Sequence, residues 1–179
     1  MDDQFRILST AELDRFTCRS RTVETLLAYW HAKQREAGQR RTSLPRRANI
    51  DPADLKSILP QVMLVDLSYQ PFRARYRLVG TGVVEHTKLD FTNFYADDIL
   101  FQDGDGTDWT DCYRQVAEVR RPGFGISHWM PHQDFFQWTE FLICPLSEDD
   151  SQVSQCISAE EYEKLPDHLA DIFRARPLT

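Results

Sequence analysis

Residues 72–84 read FRARYRLVGTGVV, and the first eight of them alternate in character. Phe72, Ala74, Tyr76 and Leu78 fall in one set, Arg73, Arg75, Arg77 and Val79 in the other. A strand separates two such sets, because its successive side chains point to opposite faces. The pattern predicts Tyr76 and Leu78 on a core and the three arginines on the far face. Three cations along one strand of an acidic chain call for a cover, which the N-terminal helix or a second subunit would supply. Gly80 and Gly82 end the strand and let the chain reverse.

Working upstream, residues 61–67 (QVMLVDL) are apolar and β-branched, as in a strand buried on both faces. A turn at 68–71 joins the two strands into an antiparallel hairpin. Before it, Asp51, Pro52 and Asp54 provide an N-cap, a first-turn proline and a first-turn acid, so residues 52–59 read as a short helix stopped by Pro60. Val23, Leu26, Leu27 and Trp30 recur at three- and four-residue spacing, which predicts an amphipathic helix over 22–38 ending at Gly38. Its stripe is narrow, suited to lying against the domain or a partner.

Downstream, Trp109, Cys112, Tyr113, Val116 and Ala117 share one face of a helix over 109–120. Three strands follow at 124–130, 135–146 and 152–158, and residues 159–173 return to helix propensity despite Pro166. Two strands, a helical insertion and three strands assemble as an α+β fold: a five-stranded antiparallel sheet with helices on one face and flanking N- and C-terminal helices. The organisation expected is an N-terminal segment at 1–44, a domain at 45–158, and a C-terminal helix and tail at 159–179.

Composition agrees with a packed body. A chain of 179 residues, 41% hydrophobic and 12% aromatic, has enough apolar surface for one core. With 21 Lys and Arg against 28 Asp and Glu, the net charge of −7 opposes general nucleic-acid binding, which needs many cations on phosphates. Arg40, Arg41, Arg46 and Arg47 form the densest basic cluster and read as a solvated loop. No run of 18 apolar residues offers a membrane span, and the acidic start lacks the features of a signal peptide, so a cytoplasmic protein is expected. The four cysteines form no C-x-x-C pair and read as reduced, mostly buried side chains.

Four segments together resemble a known family: LPRRANIDPADLKSILPQVMLVDL at 44–67, FRARYRLVGTGVVE at 72–85, LDFT at 89–92 and EFLICPLSEDD at 140–150. In order and content they are similar to the stand-alone PAS domain proteins known mostly from alphaproteobacteria, over about residues 23–158. The chain departs from the family pattern at Lys88 and Leu89, which stand before Asp-Phe-Thr where many relatives carry a Gly, and at Asn93, where a Gly is common. The resemblance implies a sheet and helices enclosing a pocket used for ligand sensing or partner docking, and it implies no reaction. No haem or flavin motif is evident. The helix at 109–120 has no axial histidine, His86 lies in the segment before it, and Cys112 sits in Asp-Cys-Tyr-Arg rather than an Asn-Cys-Arg-Phe type motif.

The candidate pocket joins Tyr76 and Leu78 of the strand to Trp109, Tyr113 and Val116 of the helix, with Trp129, Trp138 and Leu142 from the later strands. Such a lining suits a small organic ligand and suits a filled core equally. His128 and His132, followed by Asp134 and Glu140, are the nearest approach to a metal motif, but four-residue spacing on a strand brings no imidazoles together unless the turn folds back. No nucleophile elbow, phosphate loop or kinase signature is present, so no catalytic residues are assigned. The expected function is a non-catalytic sensory or regulatory module of bacterial signal transduction, acting by docking on a signalling protein or on itself. A small-molecule receptor is the alternative, and a metal-dependent enzyme a remote one.

Overall fold

A computed structural model describes residues 5–37, 43–99, 107–132 and 135–164, with side chains described in all of these but 128–137 and 164. The hairpin of the sequence reading forms one end of its sheet. Val62–Tyr69 (β2) and Phe72–Val79 (β3) pair antiparallel, and β2 is buried over its first four residues, as a central strand should be. Gly123–His132 (β4), Phe135–Leu146 (β5) and Gln155–Lys164 (β6) complete the five antiparallel strands. A sixth strand, Phe5–Ile7 (β1), pairs with β4 at the sheet edge, where the sequence showed no strand, giving the order β1-β4-β5-β6-β2-β3.

Helices cover both faces. Thr10–Leu13 (α1) and Arg21–Ala37 (α2) belong to the N-terminal segment, and Thr81–Thr87 (α3) and Trp109–Val119 (α4) to the insertion between β3 and β4. On β5, Phe141 meets Trp109 of α4, whereas the neighbouring Glu140 meets the residues that open α2, so α4 and α2 lie on opposite sides. The α4 side is here called the inner face and the α2 side the outer face. Helix α2 docks by its predicted stripe: Val23, Leu26, Leu27 and Trp30 are buried, and the Trp30 indole N–H donates to the Pro145 carbonyl at 2.8 Å. Asp108 caps α4, its carboxylate accepting the Asp111 N–H.

Two expectations are corrected. Residues 159–164 form the second half of β6 rather than the start of a helix, because their pairing with Gln137–Leu142 of β5 overrides the helix propensity of an Ala-Glu-Glu-Tyr-Glu-Lys run. The remainder of that expected helix, residues 165–173, lies outside the described residues, as do Gly38, Arg40 and Arg41. The second correction concerns Leu78. Leu64 pairs with Leu78 but Val65 with Tyr76, so Arg77 is the extra residue of a β-bulge. The bulge turns Leu78 to the outer face, where it is 48% exposed, while Tyr76 stays buried.

Gly80 is needed for a different reason from the one its position suggests. Its φ of −64° is open to any residue, but a Cβ there would strike the Pro60 carbonyl oxygen. Positive φ falls instead on Lys88 (58°) and Asn93 (71°), the positions where the sequence departs from a glycine-bearing pattern.

Candidate functional site

The inner face concentrates hydroxyls and one carboxylate among aromatic rings. Along β6 the period of two aims Ser158, Glu160 and Tyr162 inward, the same face that β3 supplies with Tyr76. Tyr113 of α4 reaches across, its ring 6.1 Å from that of Tyr76 and its hydroxyl 3.5 Å from the Ser158 Oγ. Phe91 packs edge-on to Tyr76 at 4.7 Å, and His86 of α3 stacks on Tyr162 at 3.9 Å with the rings 23° apart. Tyr162 donates its hydroxyl to the Glu160 carboxylate at 2.6 Å.

Electrostatics follow from that enclosure. Burial raises the Glu160 carboxyl to about 7, and the Tyr162 bond only partly offsets it. Among the described residues no cationic side chain acts on it. Burial and the nearby Glu160 charge push the Tyr76 and Tyr162 hydroxyls up, and burial with Tyr76 does so for Tyr113. Tyr76 and Tyr113 are fully covered, whereas Glu160, Tyr162 and His86 keep part of their surface exposed.

The outer face is organised around the start of α2. Glu140 and Glu161 are paired across β5 and β6. The Ser20 N–H donates to Glu140 at 2.7 Å and the Arg19 N–H at 3.3 Å. Glu161 accepts the Ser20 hydroxyl at 2.6 Å and the Thr22 N–H at 3.1 Å. Two sheet carboxylates thus satisfy the donors that open α2, where negative charge suits the helix dipole. Burial pushes the Glu161 carboxyl up, but the bonds from Ser20 and Thr22 outweigh it and hold the group below its usual range. An open groove of about 520 Å³ lies beside this contact, with the Arg19 guanidinium over the Trp138 ring at 4.5 Å.

The predicted pocket residues divide between the two faces. Tyr76, Tyr113 and Val116 are buried on the inner face, and Trp109 stands against Phe141 there. Leu142 is buried on the outer face with its pairing neighbour Phe124, which packs on Phe16, and Trp138 shares that face. Neither joins the inner cluster, because β5 is covered on both sides and its even-numbered residues turn to α2. Leu78 is removed from it by the bulge. The side chains of Trp129, His128, His132 and Asp134 lie outside those described. Among the described residues no three metal-ligating side chains converge and no helix is long and apolar enough to cross a membrane.

The arginines of β3 find ion-pair partners within the chain. Arg73 is held by Asp97 and Asp98 and lies over the Tyr95 ring at 3.7 Å, while Arg75 and Arg77 reach Asp66 at 3.0 and 3.5 Å. Sequence reasoning missed His86 as an inner-face residue and missed Ser158, Glu160, Glu161 and Tyr162 altogether. The run 158–164, SAEEYEK, carries no apolar–polar alternation and favours a helix by composition, so no local signal pointed to them.

Comparison with known proteins gives a family and a set of distant folds. The light-state structure of the blue-light photoreceptor Aureochrome1 LOV is similar with a TM-score of 0.43 and 12% identity, over 68% of this chain and 93% of that one. A structure from work on a flavin analogue and the light-oxygen-voltage domain mechanism gives 0.44 and 12%, over 69% and 92%. No curated protein matches the chain. The family model described as PAS domain matches residues 18–158. With most of its length matched, the chain belongs to the PAS domain family.

Proposed function

We propose that this PAS domain is a non-catalytic sensory module of bacterial signal transduction whose input is a small organic molecule held on the inner face, between the sheet and helices α3 and α4. One observation carries the reading: hydroxyls and a carboxylate from β3, α4 and β6 converge among aromatic rings, and Glu160 and Tyr162 keep surface open to a ligand. Mostly apolar walls with a few convergent polar groups are what small-molecule sites are made of. The sensory unit comprises the sheet through the end of β6, with β1 and α2 docked upon it.

Native mass spectrometry of gently purified full chain tests this. A bound small molecule lost on Tyr113→Trp, a substitution that enlarges the side chain beside Tyr76, supports the reading. A bare mass in every preparation, with no small molecule shifting the inner-face tyrosine resonances in NMR, removes it.

A second reading, docking on a signalling protein or on a second copy, draws on the exposed Leu78, Leu89 and Phe94. Phe94 sits beside β3 through its carbonyl, which accepts the Tyr76 N–H. Light scattering at increasing concentration, together with a Leu78→Ser, Phe94→Ser variant, tests that reading. A monomer with no partner and unchanged signalling in the variant counts against it.

A further inference from the structure

The inner-face ligand is defined most narrowly by what Glu160 lacks. Its carboxylate has one described hydrogen bond, from Tyr162, and no Lys or Arg among the described residues pairs with it. The other buried or half-buried acids of the sheet among the described residues are answered, Asp66 by Arg75, Arg77 and Gln155, and Glu140 and Glu161 by the donors that open α2, while Glu163 is exposed to solvent. Around Glu160 stand aromatic side chains instead of cations. Tyr162 lies on its own strand, Tyr76 and Tyr113 close the inner side, and His86 stacks over Tyr162.

A carboxylate set among aromatic faces is the chemistry that recognises an ammonium group, which takes the carboxylate as counter-ion and the ring quadrupoles as walls. Resting on the reading of the inner face as the ligand site, we infer that the ligand is a small organic cation, an amine bound as its ammonium, with Glu160 as its counter-ion and Tyr162 as its aromatic wall.

The titration of Glu160 fits this placement. A carboxyl raised to about 7 by burial is half neutral near neutrality, and an arriving ammonium favours its ionised form. The titratable groups that face it are Tyr76 of β3, Tyr113 and Cys112 of α4, His86 of α3, and Tyr162 and Cys156 of β6. His86 is the one imidazole among them, stacked on the Tyr162 ring.

Calorimetric titration of the full chain with three matched probes tests the inference: phenethylammonium, neutral 2-phenylethanol and anionic phenylacetate. The ammonium is expected to bind at least tenfold more tightly than either other probe, and more tightly at pH 8 than at pH 6. Glu160→Gln, with its fold checked by circular dichroism and thermal midpoint, is expected to lose tenfold or more and to flatten the pH dependence. A pH dependence that persists in that variant overturns the role of Glu160. Binding of 2-phenylethanol as tight as that of the ammonium overturns the ligand class while leaving the inner-face site standing. Failure of all three probes, with no small molecule retained on purification, overturns both.

Discussion

Replacing Glu140 by Ala removes the acceptor that fastens α2 to the sheet, and the loss can be sized from its surroundings. The side chain is 7% exposed and accepts the Ser20 N–H at 2.7 Å. A hydrogen bond to a charged group contributes about 1.5–3 kcal/mol, and a buried donor left without a partner carries a penalty of similar size within that figure. The Arg19 contact at 3.3 Å is long and adds little. The negative charge at the α2 N-terminus adds about 0.3–1 kcal/mol. Removing Glu140 also relieves repulsion from Glu161, its cross-strand neighbour, by a few tenths to about 1 kcal/mol. The net expectation is a loss of about 2–3 kcal/mol, equivalent to roughly 4–12 °C in midpoint for a domain of this size. Urea unfolding followed by tryptophan fluorescence and by circular dichroism measures it, with unchanged m-values certifying that only stability moved. Glu140→Gln keeps an acceptor without the charge and should fall about midway. Glu163→Ala, an exposed change on the neighbouring strand β6, should stay within about 0.5 kcal/mol of the parent. If Glu140→Ala is as mild as Glu163→Ala, the carboxylates do not hold α2 and the account of the outer face is wrong.

Three further outcomes follow from the same geometry. Lys88→Gly relieves a residue held at φ 58° and should raise the thermal midpoint, the net gain being about 0.5–1 kcal/mol after the greater unfolded-state freedom of glycine; no change or a loss would mean the loop tolerates Lys without strain. Leu78→Ser should alter stability by less than about 0.5 kcal/mol because the bulge exposes that side chain, whereas Tyr76→Ala, opening a hole beside Tyr113 and Phe91, should lose about 3–5 kcal/mol in the same urea assay. Because folding raises the Glu160 carboxyl from 4.5 to about 7, the native state holds its proton more tightly than the unfolded chain. Its favourable contribution is complete below pH 4.5 and is lost as pH rises through 7, so Glu160→Gln should flatten stability across that window; an unchanged slope would show that the carboxyl is not enclosed.

The path from sequence to site broke at two places, each with a physical cause. Alternation along 72–79 located β3 and its buried Tyr76, but a strict period of two cannot announce a bulge, and the extra Arg77 reversed the assignment of Leu78. At 159–164 the composition favoured a helix, so the two glutamates that matter most were assigned to no strand face. There the partner strand decided: register with β5 sends Glu160 inward to Tyr162 and Glu161 outward to α2. Trp138 and Leu142 were legible as core residues, but not by face, because both sides of β5 are covered and hydrophobicity does not tell one side from the other.

Local patterns, by contrast, carried most of the architecture. The stripe of α2, the face of α4, the apolar run of β2 and the bounds of β5 all depend on contacts within a few residues, so the chain alone determined them. The α+β class and the PAS family signature at residues 44–92 followed from their order. Tertiary structure decided what depends on residues far apart: the joining of β1 to the sheet edge, the strand state of residues 159–164, the ion pairs that quiet the β3 arginines, and the division of adjacent glutamates between two faces. A strand's conformation is local, but its register and its cover belong to its neighbours, and the candidate site is built from those.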